Sequence, residues 1–185
     1  MDEREALLEV RYRVMYDPDP ENPRDWDNLG KLVCWHRRWK LGDEQPYCTP
    51  EEYEREHFKP DTIVLPVWML DHSGLALATR SFNDPWDSGQ VGWIYVQRED
   101  VRKEYNCKRV TADLESLVRQ RLAQEVSLYG QYLNGEVYMV EWTIHCPGQL
   151  ESTDACGGFF SVAEASCHAE LELKFHKEAM GYGDE

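Results

Sequence analysis

Basic side chains are scarce in this chain of 185 residues: 20 Lys and Arg stand against 35 Asp and Glu, a formal charge of −15. A protein so acidic repels phosphates over most of its surface, which argues against nucleic-acid binding through bulk charge. Long apolar runs are missing too, since nothing approaches the roughly 18 consecutive apolar residues of a membrane-spanning helix. The opening Met1–Val10 stretch carries acids where a secretory leader carries a basic and then an apolar region. No CxxC or HxxxH spacing occurs, so the usual ligand pairs of a zinc site are lacking. GxSxG, the phosphate-binding P-loop and GxGxxG are lacking as well.

What is present describes a packed domain. With 42% hydrophobic and 12% aromatic residues, including seven tryptophans, the chain can bury a core and is no disordered acidic tail. Its length predicts one domain, at about 100–200 residues per domain. Six cysteines permit disulfides on parity alone. A core of this size needs no such staples, and reduced, buried thiols are expected.

Hydrophobic periodicity places the elements. Val10, Tyr12, Val14 and Tyr16 alternate with Arg11 and Arg13, which predicts a half-buried strand over Glu9 to Tyr16. Leu32 to Trp35 is an apolar run that suits either a short strand or a helical turn. Thr49, with Pro50 next and Glu52 three residues on, is a capping-box start for a short helix. Thr62 to Asp71 and Leu75 to Thr79 read as a hairpin around His72-Ser73-Gly74, with Pro66 calling for an edge position or a bulge. Val91 to Val96 is a further strand and Glu99 to Tyr105 a short helix. Leu114, Leu117, Val118, Leu122, Val126 and Tyr129, spaced by threes and fours, predict a long helix opened by Thr111 and closed by Asn134-Gly135. Glu136 to His145 alternates again. Gly157-Gly158 reads as a turn before a terminal helix from Ser161 to Met180. The expected fold is a single α+β domain with a mainly antiparallel sheet, one long central helix and a C-terminal helix.

Three kinds of site are conceivable. A composite zinc site would draw on Cys34, His36, Cys48, Cys146, Cys167 and His168, although buried cysteines and surface histidines account for these residues more simply. The loops Asp25–Gly30 and Asn83–Gly89 each set a tryptophan beside acids and offer oxygens to a hard cation, but Asp, Asn and Gly equally serve ordinary turns. The basic run His36-Arg37-Arg38-Trp39-Lys40 suits phosphate, with Trp35 and Trp39 as stacking rings. A solvated loop, or a clamp on neighbouring acids of the chain, is the simpler account. The distributed acidity remains: Asp43, Glu44, Glu51, Glu52, Glu54, Glu56 and Asp61 against Arg55 and Lys59. Such an acidic face, together with Trp86 and Asp87 of the second tryptophan-marked loop, can face a basic protein.

Four blocks carry a resemblance. They are Asp27-Asn28-Leu29-Gly30 with Val33-Cys34-Trp35-His36-Arg37-Arg38 and Leu41-Gly42-Asp43; Asp84-Pro85-Trp86-Asp87-Ser88-Gly89-Gln90-Val91-Gly92 with Ile94-Tyr95-Val96; Tyr132–Tyr138; and Cys156–Phe160. They resemble blocks in proteins of phages, plasmids and gut Firmicutes, a mobile-element group associated with anti-CRISPR proteins that act on Cas9. The resemblance spans roughly Asp25 to Phe160 and brings no catalytic residues. It implies a phage-encoded inhibitor, not an enzyme, located in the cytoplasm of the bacterial host. Such a protein would bind a host defence nuclease, Cas9 or its guide complex, and obstruct target DNA. The alternatives are an anti-restriction protein and a metal- or thiol-dependent enzyme built around Asp27, Cys34, His36 and Asp87.

Overall fold

The computed structural model describes residues 9–145 and 152–179, with side chains given for 10–145 and 152–175. Among these residues the fold is α+β, with seven strands in two antiparallel sheets and four helices. The chain forms two compact units. One takes the residues up to Glu21 together with those from Gly135 onwards, and the other is Asn22–Asn134. No helix of the described residues is long and apolar enough to cross a membrane.

The first unit holds β1 (Glu9–Tyr16), β6 (Tyr138–His145) and β7 (Ser152–Phe159), with β6 in the centre. The alternation in β1 holds as far as Val14: Val10, Tyr12 and Val14 pack inward while Arg11 and Arg13 face solvent, but Tyr16 is 64% exposed and stacks on Tyr138. Helix α4 (Val162–Ala179) sets two small residues, Ala165 and Ala169, against Val140 and Trp142, so helix and sheet approach closely. The Gly157-Gly158 turn is corrected by the structure, because both glycines lie inside β7. Tyr138 pairs with Phe159 and Val140 with Cys156, so β7 carries one extra residue across that step. Gly158, at φ +83°, takes up the excess and donates its N–H to Asp17 Oδ2 at 3.0 Å. Tight glycines here make a bulge and not a reversal.

The second unit holds β2 (Lys31–Cys34), β3 (Thr62–Asp71), β4 (Leu75–Ala78) and β5 (Ser88–Gln97), ordered β2-β5-β3-β4. β3 has the bounds expected for the first strand of the hairpin. Both expectations for Pro66 are met at once: β4 pairs only from Trp68 onwards, leaving Pro66 with one neighbour, and a register shift follows at Val67/Trp68. The missing proline N–H is therefore not needed on the open side.

The long helix α3 (Ala112–Leu133) covers one face of this sheet, and Thr111 caps it by accepting from Leu114 N. Val118, Leu122, Val126 and Tyr129 enter the core with Leu32, Ile63, Val67 and Ile94. Leu117 does not, and is 49% exposed, because it lies about 100° round the helix from Val118. The other face carries α1 (Pro50–His57) over an aromatic cluster. Tyr53 and Tyr95 join hydroxyls at 3.0 Å there, ringed by Trp35, Phe58 and Trp93. Because β2 is buried on both faces, Leu32-Val33-Cys34 is apolar throughout, which is why periodicity alone left its state open. Helix α2 (Arg98–Glu104) follows β5 directly.

Candidate functional site

β2 and β5 run antiparallel with Cys34 opposite Gly92, so the residues after Cys34 and those before Gly92 continue side by side. The close approach needs a residue without a Cβ, since one at Gly92 would sit 1.9 Å from the Val33 carbonyl oxygen. Trp35 N then donates to Val91 O at 2.7 Å. Two sequence blocks nearly fifty residues apart, His36-Arg37-Arg38 and Trp86-Asp87, are brought to one surface in this way.

Two adjoining depressions mark that surface. The larger, about 1230 Å³, reaches from Trp35, His36 and Arg38 past Arg37 and Lys40 to Tyr47. The smaller, about 460 Å³, runs from the same Trp35, His36 and Arg38 to Trp86 and Asp87. Trp35 is fixed by an Nε1–H bond to Cys48 O at 2.8 Å, with its ring edge-on to Tyr53 and Trp93. His36 accepts backbone N–H bonds from Arg38 and Trp39 at Nδ1, at 3.4 and 3.1 Å, which leaves Nε2 as the protonated nitrogen of the neutral ring. Arg38 pairs with Asp71 at 3.3 Å and lies over the Trp39 ring. The expected clamp on neighbouring acids is therefore real for Arg38. It does not extend to Arg37 or Lys40.

The opposite wall is a tightly bonded turn. Asp84 Oδ1 accepts from the backbone N–H groups of Trp86 (2.9 Å) and Asp87 (3.1 Å), and these bonds hold its carboxyl below the ordinary value. Ser88 Oγ bonds back to Asp84 O, and Asp87 O accepts from Asp71 N. Asp87 meets His72 Nδ1 at 2.8 Å, an ion pair when the imidazole is protonated. The turn thus presents Trp86, 92% exposed, on a fixed backbone.

The acids proposed for a partner divide into two sets. Asp43 is internal in its chemistry: it accepts two bonds from Arg24, at 2.7 and 2.8 Å, and one from Leu32 N at 2.7 Å. Glu44 pairs with Lys31, Glu52 completes the capping box of α1 with Thr49, and Asp87 pairs with His72. Glu51, Glu54, Glu56 and Asp61 are exposed, and none makes an ion pair among the described residues.

Arg24 and Glu125 were invisible to sequence reasoning. The Arg24 side chain is 3% exposed and that of Glu125 9%. Arg24 also donates to Gly30 O at 2.7 Å and to Asn28 Oδ1 at 3.3 Å, while Glu125 accepts from Leu29 N and Gly30 N at 2.9 and 3.1 Å. Burial lowers the Arg24 pKa, but bonds to Asp43 and the charges of Asp43 and Glu125 outweigh it, and the net shift is upward. This network explains the Asp27-Asn28-Leu29-Gly30 and Leu41-Gly42-Asp43 blocks as architecture. Asn28 braces the loop through Pro23 O and Trp26 O, and Gly42 N donates to Tyr129 OH at 3.1 Å. No local pattern could have announced it, because Glu125 lies on α3, far along the chain.

Among the described residues no group of three or more His, Cys, Asp or Glu side chains comes together to hold a metal ion. Cys34 is fully buried, and burial pushes its thiol up to about 12, so it carries no thiolate at neutral pH. Cys48 is half-buried beneath Trp35. Cys167 is exposed, and the His168 ring packs against Trp142 and Phe159. Cys146 lies outside the described residues. Asp27 stands exposed at the loop that Arg24 organises. Trp142, Cys156 and His168 line a depression of about 140 Å³, and Trp142 Nε1 is the one buried side-chain N or O atom without a hydrogen-bond partner among the described residues. Comparison with family models, curated proteins and solved structures finds no match.

Proposed function

We propose that this chain is a phage-encoded acidic inhibitor that binds a host defence nuclease, Cas9 or its guide complex, and obstructs target DNA. The observation that carries this reading is the division of the acids. Asp43, Glu44 and Glu52 are engaged within the fold, while Glu51, Glu54, Glu56 and Asp61 stand outward without ion partners on α1 and the loop after it. Carboxylates held on an ordered element can take the place of phosphates opposite the Lys and Arg of a nucleic-acid channel, and they steer association electrostatically. The raised Cys34 thiol weighs against nucleophilic chemistry at the cysteine closest to the basic run. The resemblance of the sequence blocks supplies the class of nuclease.

The reading is tested by binding of the purified chain to guide-loaded Cas9. The triple variant Glu51→Lys, Glu54→Lys, Glu56→Lys is expected to weaken the complex by about tenfold or more and to flatten its salt dependence. Unchanged affinity across the reversals would show that the acids are merely solvated. Exchange of Cas9 for a restriction endonuclease separates the anti-restriction variant of the same reading.

A further inference from the structure

The groove between the basic run and the Trp86 turn takes no part in the acidic surface on α1. Its lining includes two exposed aromatic rings, Tyr47 fully exposed in the larger depression and Trp86 92% exposed in the smaller. The charge of that lining is decided by which groups are already neutralised. Three carboxylates on its walls have a cation beside them, Asp43 with Arg24 (shared with Glu125), Glu44 with Lys31 and Asp71 with Arg38, and Asp87 has His72, a cation only when protonated. Arg37 and Lys40 are exposed and have no carboxylate within ion-pair distance among the described residues. The lining therefore holds two cations without a carboxylate partner among the described residues and two exposed rings, within a protein that is otherwise strongly acidic.

We infer that this groove binds a short stretch of single-stranded nucleic acid, with bases stacked on Trp86 and Tyr47 and backbone phosphates on Arg37 and Lys40. Exposed flat rings and unpaired cations on adjoining open depressions are what a strand with exposed bases requires. An acidic peptide would satisfy the cations and leave the rings unused. The larger depression, about 1230 Å³, exceeds what a single small ligand fills, typically about 300–1,000 Å³. A duplex is a stiff, dense row of phosphates that must also lie along acidic surface, whereas a flexible strand can follow the groove alone. The two free cations and the pre-set Trp86 turn provide local attraction where the charge of −15 provides none. The inference stands apart from the nuclease reading, since it uses none of the α1 acids.

The test is fluorescence anisotropy with labelled oligothymidylate and oligouridylate of about 12 nucleotides, a length within the usual range for one strand-binding domain, in about 50 mM salt. Saturable binding is expected, accompanied by quenching of tryptophan emission. Trp86→Ala should weaken it by about tenfold, the effect of losing one stacked base. The double variant Arg37→Glu, Lys40→Glu should remove measurable binding, and the milder Arg37→Gln, Lys40→Gln pair should lower the salt slope by roughly 1.4, for two phosphate contacts on a single strand. The three substituted side chains are on the surface, so unchanged circular dichroism and melting are expected throughout. Failure of both oligomers to saturate would overturn the inference, as would binding that survives the double reversal. Equal competition by thymidine monophosphate at matched nucleotide concentration, by a duplex or by polyglutamate would also overturn it, because each satisfies only part of the site.

Discussion

At the scale of single residues, the strongest structural commitment is the burial of Arg24 between Asp43 and Glu125. Its guanidinium donates from all three nitrogens, so neither the charge nor the N–H groups are stranded. Removing one member of such a set costs more than the set contributes, because the remaining charges stay buried without compensation. Arg24→Met should therefore destabilise the fold by about 3–5 kcal/mol, read by urea denaturation; a loss under about 1 kcal/mol would mean that Asp43 and Glu125 find water instead. Cys34 supports a second prediction. With its thiol buried and pushed up to about 12, it should resist alkylation in the native protein at pH 8 while the exposed Cys156 and Cys167 react. Mass spectrometry of the alkylated peptides decides the matter, and rapid modification of Cys34 would reopen a thiol-based activity. Little of this was legible beforehand. Asp43 sits in an acidic run and looks like any solvated acid, and only the tertiary fold brings Arg24 and Glu125 to it.

At the scale of elements, legibility followed burial. β1 and β6 have one buried face and alternate, and the stripe on α3 is clear, so all three could be read from periodicity. β2 is buried on both faces and loses its alternation. β7 is almost wholly exposed and carries a glycine bulge, so its strand character comes from pairing with β6 and not from its own residues. The contact of β2 with β5 depends on Gly92. Gly92→Ala should cost more than about 3 kcal/mol, the upper range for overpacking, because the obstruction is backbone that cannot rotate away. Thermal denaturation would show it, and a melting point within a few degrees of the parent would contradict the assigned register. The Asp84 turn makes a pH prediction. A carboxyl held below its ordinary value stabilises the folded turn fully above the unfolded pKa near 3.9, and that contribution is lost as pH falls through the lower folded value. In His72→Gln, which removes the ionisable partner of Asp87, the Trp86 indole resonance, assigned by its absence in Trp86→Phe, should hold steady from neutral pH down to the ordinary carboxylate range and move only below it. A transition centred above that range would show that Asp84 does not hold the turn.

At the scale of the whole molecule, the net charge of −15 resolves into parts with different uses. Some acids hold the fold together, some cap or pair locally, and a smaller set on α1 and its following loop faces outward. Composition gave the total, but the division among these uses required the structure. The α+β class was legible from the order of periodic segments, whereas the borders of the two units fall at Pro18, Pro20 and Pro23 and at Asn134-Gly135, breakers that equally end a single strand or helix and so do not announce a division into units. The four blocks likewise separate: the first is largely a buried network, and its basic run meets the second at a groove. The central claim, inhibition of a defence nuclease, is most directly tested by titrating the purified protein into a Cas9 DNA-cleavage reaction with guide in place. The account predicts that cleavage by at least one of several Cas9 orthologues is lost near equimolar inhibitor, and restored when Glu51, Glu54 and Glu56 are reversed to lysine. Full cleavage by every orthologue at large molar excess would contradict it.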